Sequence, residues 1–150
     1  MIEIELAGPT DRPAIEALLT ANGLPLAGLE LASELTLVAR AGATLVGCAA
    51  VEPHGSVGLL RSVCVAESMR YTGLGRRLVA EAEALAVSAG IGELYLLTET
   101  AASWFPRLAY EAAERVTAPS AVASSPEFTG ACPDTAVMLR KHLGLAAPIS

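Results

Sequence analysis

The stretch whose residue types and spacing could do chemistry is Arg70-Tyr71-Thr72-Gly73-Leu74-Gly75. It lies between an apolar run at 59–65 and an apolar-striped run at 74–89. A helix that starts at Leu74 has first-turn amides with no partner inside the helix, at the positive end of its dipole. Gly73 and Gly75 let those amides approach a ligand with no Cβ in the way. Arg70, Arg76 and Arg77 add positive charge beside the loop. The chemistry on offer is the binding of a phosphate. The same pattern also serves as a plain glycine turn into a core helix, and spacing alone leaves the two readings open.

The elements that must position this loop follow from periodicity. Ile2, Ile4 and Leu6 alternate with acids and predict a strand. Thr10 and Asp11 offer helix caps, Pro13 fits a first turn, and Ile15, Leu18 and Leu19 form a buried stripe that Asn22-Gly23 ends. Residues 26–31 read as a short second helix weakened by Gly28. Strands are expected at 35–40, 44–51 and 57–65, and their short connections imply antiparallel pairing. In the helix at 74–89, Leu74, Leu78, Ala82, Leu85 and Ala89 keep helical period. A fifth strand at 93–97 can lie parallel to the fourth, because a helix crosses between them. The spacing then predicts a helix at 100–108, strained by Pro106, and a strand at 111–117. A loop or short helix at 118–126, a strand at 135–142 and a loose tail complete the chain. The expected architecture is one α/β domain over residues 1–150, a mixed sheet with helices on both faces.

Composition narrows the ligand. The chain is 53% hydrophobic and 17% charged with a net charge of −6, a globular composition without the basic surface of a nucleic-acid binder. Its positive charge gathers at Arg61, Arg70, Arg76 and Arg77, which suits a small anion. The start carries no secretory pattern and no apolar stretch is long enough to span a bilayer, so no membrane partner and a cytoplasmic location are expected. Cys48, Cys64 and Cys132 form neither a disulfide framework nor a zinc-ligand spacing, and no metal is expected. Cys48 and Cys64 sit in apolar runs and read as buried, inert thiols.

With the loop placed after a fourth strand and before the main helix, the chain resembles the GCN5-related N-acetyltransferase superfamily over nearly its whole length. The family loop is Gln/Arg-x-x-Gly-x-Gly/Ala, here Arg70-Tyr71-Thr72-Gly73-Leu74-Gly75. The resemblance implies a GNAT fold of about seven strands with the fourth and fifth splayed, and acetyl-CoA as co-substrate. It places the pyrophosphate on the loop from Arg70 through Tyr71, Thr72, Gly73, Leu74 and Gly75 to Arg76, and the pantetheine arm along Val63, Cys64 and Val65. Leu60-Arg61-Ser62-Val63, Leu96-Leu97-Thr98-Glu99-Thr100-Ala101, Ser125-Pro126-Glu127-Phe128 and Cys132-Pro133 are similar to the arsinothricin N-acetyltransferases of arsenic resistance. That branch implies acetylation of the α-amino group of a small anionic amino acid, arsinothricin or phosphinothricin, by a homodimer. Tyr71, Gly28 and Ala109 depart from the pattern; a glycine usually precedes the aromatic at Tyr110.

By that likeness a backbone N–H at Cys64 or Val65 polarises the thioester carbonyl. Arg61 and Ser62 stand where many members carry a basic carboxylate, which leaves Glu52, at the end of the third strand, as the candidate base through water. A solvated turn residue is the other reading of Glu52, and His54 is a further titratable candidate. Phe105 occupies the place of the usual acid tyrosine, so thiolate departure without a dedicated acid is expected. For the acceptor, Arg61 offers a bidentate grip on an oxyanion or else pairs with Glu52 or Glu99. Ser62, Thr98 and Thr100 offer hydroxyls, and Phe128 offers a pocket wall or packing for the last loop. Acetylation of another small amine, and acyl-CoA binding without catalysis, are the alternatives.

Overall fold

The computed structural model describes residues 1–131 and 135–144. A single seven-stranded sheet runs β1-β2-β3-β4-β5-β7-β6. Its strands are β1 (Ile2–Leu6), β2 (Thr36–Ala41), β3 (Thr44–His54), β4 (Val57–Val65), β5 (Glu93–Thr98), β6 (Glu111–Ala113) and β7 (Val137–His142). Every neighbouring pair is antiparallel except β4 and β5. That exception follows from the long crossover through helix α2 (Leu74–Ser88).

Strand alternation gives the sheet two apolar faces. Leu37, Ala39 and Ala49 pack with Leu78, Val79, Ala82 and Ala86 of α2. Val38, Cys48 and Ala50, one residue out of step, pack instead with Ile15 and Leu19 of α1 (Arg12–Ala21). A third cluster joins Leu59, Tyr95 and Met138 to Val122 of the short α3 (Ser120–Ala123). The expected fold, with helices on both faces, is the fold observed.

Several local expectations give way. The helix expected at 100–108 is a turn followed by a 3-10 turn at Phe105–Leu108, with Pro106 in its first turn where no hydrogen bond is lost. Ala109 ends it at φ +74, which explains why a glycine suits that position. The strand expected at 111–117 stops at Ala113 and becomes a 3-10 turn at Arg115–Thr117. The second helix expected at 26–31 is a 3-10 segment at Leu29–Leu35, which starts only after Gly28 turns left-handed at φ +82. β3 does not end at Val51. Glu52, Pro53 and His54 pair with Leu59, Gly58 and Val57, so Glu52 is a strand residue rather than a turn residue. Cys132, Pro133 and the tail from residue 145 lie outside the described residues.

Candidate active site

The site begins where β4 and β5 part. Their parallel pairing is limited to Val57, Gly58 and Leu59 against Glu93, Leu94 and Tyr95. Beyond that point, among the described residues, β4 pairs only with β3, and β5 only with β7. A cavity of about 470 Å³ opens in the gap. Its walls include Val63, Cys64 and Val65 of β4, Leu96 and Thr98 of β5, and Gly75 of α2.

A bulge in β4 shapes this wall. Between the pairs Cys48–Cys64 and Ala50–Arg61, β4 holds one residue more than β3. Ser62 takes up the extra length at φ +58, a strained value for a residue with a Cβ. The Cys48 thiol donates to the Ser62 carbonyl at 3.3 Å and braces the bulge. The inserted residue shifts the alternation, so Cys64 joins the α1-side cluster with Cys48 and Ala50.

At the start of α2, the first helical hydrogen bond is Arg77 N–H to the Gly73 carbonyl, 3.1 Å. The amides of Leu74, Gly75 and Arg76 therefore have no partner within the helix. Gly73 adopts φ +87, and a Cβ on Gly75 would sit 3.4 Å from the Trp104 ring. This is a cradle for an anion, and a side chain at either glycine would strain or fill it. Leu74 contributes only backbone there, because its side chain is core. Thr72 Oγ1 donates to the Met69 carbonyl at 2.6 Å, and Arg70 reaches across to Asn22 Oδ1 at 2.5 Å. Tyr71 is fully exposed at φ +66, and Arg76 is exposed.

Arg61 is the centre of a buried charge cluster. Its Nη1 donates to Glu52 Oε2 at 3.2 Å, and its Nε lies 3.5 Å from Glu127 Oε2. His54 Nε2 is 2.9 Å from the other Glu52 oxygen. Arg61 is 3% exposed, Glu52 0% and Glu127 4%. Arg61, Ser62 and Glu127 reach the cavity wall, together with Leu24, Pro25, Glu99 and Thr100. Glu52 does not: it lies behind Arg61 and holds the guanidinium in place, so direct contact with a reacting amine is closed to it. Burial, with Glu52 adding to it and Arg61 opposing, pushes the Glu127 carboxyl up to about 7.

Glu127 is the functional candidate that the sequence reading passed over as part of a motif. The available signal was an acid alone in the Pro/Ser/Ala-rich stretch before Phe128. Phe128 itself is not a cavity wall. It packs against the cluster of Leu59, Tyr95 and Met138, with the Arg115 guanidinium 5.4 Å above its ring. Thr98 and Thr100 are on the wall, and Thr98 Oγ1 accepts from the Ala101 N–H at 3.0 Å, leaving its O–H free to donate. Burial raises the Cys64 thiol to about 11 and the Cys48 thiol to about 12, which fits the inert reading of both. Phe105 lies on the wall in edge contact with Trp104 and Tyr110; Tyr110 is core and donates to Glu83 Oε2 at 2.8 Å.

Residues 32–112 match the family described as acetyltransferase (GNAT) domain. The chain belongs to that family. Solved structures share the fold. N-acetylglutamate synthase from Neisseria gonorrhoeae, complexed with coenzyme A and N-acetyl-glutamate, is 24% identical with a TM-score of 0.81; the match covers 95% of this chain and 35% of that one. This GNAT domain thus spans about a third of that enzyme's length. The ribosomal-protein-S18-alanine N-acetyltransferase from Escherichia coli is 15% identical with a TM-score of 0.74, covering 98% and 97%. A GNAT acetyltransferase from Brucella melitensis in complex with acetyl-CoA is 21% identical with a TM-score of 0.63, covering 74% and 83%. Comparison with curated protein sequences gave no match. Among the described residues no helix is long and apolar enough to cross a membrane, and no group of three His, Cys, Asp or Glu gathers as a metal site.

Proposed function

We propose that this GNAT domain uses acetyl-CoA to acetylate the α-amino group of a small, glutamate-like amino acid, with arsinothricin or phosphinothricin as the toxic acceptor. The observation that carries the reading is the splayed β4–β5 gap, which joins the amide-lined start of α2 to a wall bearing Arg61, Ser62 and Thr98. In this reading the free amides of Leu74, Gly75 and Arg76 take the pyrophosphate, with Arg70, Tyr71 and Thr72 beside them, and Val63, Cys64 and Val65 line the pantetheine arm. Bound there, acetyl-CoA supplies an activated acyl thioester. In the same reading the Cys64 or Val65 amide polarises its carbonyl. Arg61, held by Glu52, presents guanidinium N–H groups to an acceptor oxyanion. Glu52 acts here by positioning Arg61. Thr98, and Thr100 with it, add hydroxyls.

The glutamate-like acceptor draws support from the resemblance of the segments at 60–63, 96–101 and 125–128, and from the N-acetyl-glutamate held by the Neisseria synthase. Cytoplasmic detoxification by a homodimer belongs to the same proposal, and sedimentation of the purified protein measures the subunit count. The deciding assay mixes the protein with acetyl-CoA and a panel of amines and follows free thiol. Turnover on arsinothricin or phosphinothricin is the expected result. Turnover confined to other amines removes the arsenical and phosphinic acceptors. Tight acetyl-CoA binding with no thiol release on any amine makes the domain a binding module.

A further inference from the structure

The buried charge cluster holds one carboxylate that the function above does not use. Arg61 carries one positive charge and faces two acids, Glu52 from β3 and Glu127 from the turn after α3. Glu52 takes the closer contact and also meets His54. Glu127 keeps the longer one, 3.5 Å to Nε, its only ion pair among the described residues. Among the described residues no polar side-chain atom sealed from solvent lacks a partner, and Glu127 lines the cavity. One guanidinium thus faces two buried carboxyl groups.

The backbone that carries Glu127 is held firmly. Glu127 N–H donates to Ser125 Oγ at 3.3 Å, and Ser125 is buried. Phe128 and Thr129 N–H both donate to the Ser125 carbonyl, at 2.9 and 3.0 Å. The half-buried Phe128 ring packs against the cluster of Leu59, Tyr95 and Met138. The other titratable groups on the described wall are poor proton acceptors or poorly placed. Burial holds the Cys64 thiol protonated, and the exposed Glu99 makes no ion pair with Arg61 among the described residues.

We propose that Glu127 holds the acceptor's amino group at the cavity wall and takes its proton, while the neighbouring Arg61 holds the acceptor's oxyanion. The inference rests on the acetyltransferase reading above. An amino acid presents an ammonium and a carboxylate close together, and Glu127 and Arg61 present the complementary pair 3.5 Å apart. In the step, the acceptor nitrogen loses one proton to Glu127, which passes it on to water. The nitrogen lone pair forms the bond to the thioester carbonyl carbon. The carbon–sulfur bond breaks and its electron pair leaves on sulfur. The second nitrogen proton ends on the thiolate, so each turnover yields amide, free thiol and one proton in solution.

The groups that face Glu127 and set its protonation are Arg61 from β4 and Glu52 from β3, with His54 on the far side of Glu52. The test uses phosphinothricin as first probe, then the best acceptor of the panel, with wild type, Glu127→Gln and Glu127→Asp. Wild-type kcat/KM is expected to rise with pH through one break near neutrality. Glu127→Gln is expected to lose at least 100-fold and to lose the break, while Glu127→Asp retains the break and recovers part of the rate. A second readout needs no donor: calorimetry in buffers of different ionisation enthalpy counts the protons released when the acceptor binds at pH 7. Wild type should release a fraction of a proton and Glu127→Gln none. Turnover with the same profile and proton count in wild type and Glu127→Gln overturns the role of Glu127 alone. Wild type inert toward every amine overturns the acetyltransferase reading and this inference with it.

Discussion

Replacing Glu127 by glutamine should make the protein more stable at neutral pH, and the gain should vanish in acid. Glutamine keeps the shape of the protonated carboxyl. Glu127 is 4% exposed, and its carboxyl is raised from 4.5 to about 7, chiefly by burial. A folded-state pKa above the unfolded one means that the folded protein binds more protons between those values. Stability from this group is therefore fully present below about pH 4.5 and falls as pH rises to about 7. At about 1.4 kcal/mol for each tenfold change in proton affinity, the fall is about 3 kcal/mol. Asp11 moves the opposite way, because Arg40 holds its carboxyl below the usual range, but it is common to both proteins and cancels in the difference. Urea unfolding of wild type and Glu127→Gln at pH 4.5, 6, 7 and 8 measures the effect. The two curves should coincide at the acid end and separate by about 3 kcal/mol above pH 7, or about 1–2 M in midpoint. Parallel pH dependences in the two proteins would refute the burial argument.

Three further outcomes follow from the backbone around the cavity. Gly28→Ala forces a Cβ to within 2.9 Å of Pro126 and 3.0 Å of Arg61 at φ +82, so it should cost about 1–3 kcal/mol by thermal melting and raise KM for the acceptor more than for acetyl-CoA. Gly73→Ala meets no neighbour but keeps φ +87; it should cost about 1 kcal/mol of stability and weaken coenzyme A binding by calorimetry, because the strained turn positions the α2 amides. Ala109→Gly relieves a left-handed alanine and should raise stability by about 0.5–1 kcal/mol in the same melting experiment, without changing coenzyme A affinity.

The sheet, its order of elements and the long crossover helix were legible because their signals are local and repeated. Alternation at Ile2, Ile4 and Leu6 and helical period from Leu74 to Ala89 survive any tertiary context. The turn that begins α2 was legible for the same reason. The segments that misled are short ones whose conformation a single residue decides. Gly28 at positive φ, Pro106 and the left-handed Ala109 each redirect the chain, and period counting does not weigh them. The acceptor wall was harder to read. The Arg61–Glu52 pair was one of the expected readings of Arg61, and the extension of β3 past its apolar run brings the two, nine residues apart, together. Glu127 joins them from more than sixty residues along the chain, a contact no spacing rule describes. The bulge at Ser62 also went unread, since one extra residue leaves no mark in composition.

The three-rung seam between β4 and β5 governs how the gap is made. At the middle rung, a Cβ on Gly58 would lie 3.1–3.2 Å from Val51, Ile91 and Leu94, three side chains with no exposed surface. The seam is packed like the point of a wedge driven between two plates, β1–β4 on one side and β5–β7 on the other. The packing at this seam joins the two plates where the gap begins. The same geometry places the control of aperture width at Gly58, Ile91 and Leu94, away from the residues that would touch the ligand, so a change there would alter reach into the gap without altering its chemistry.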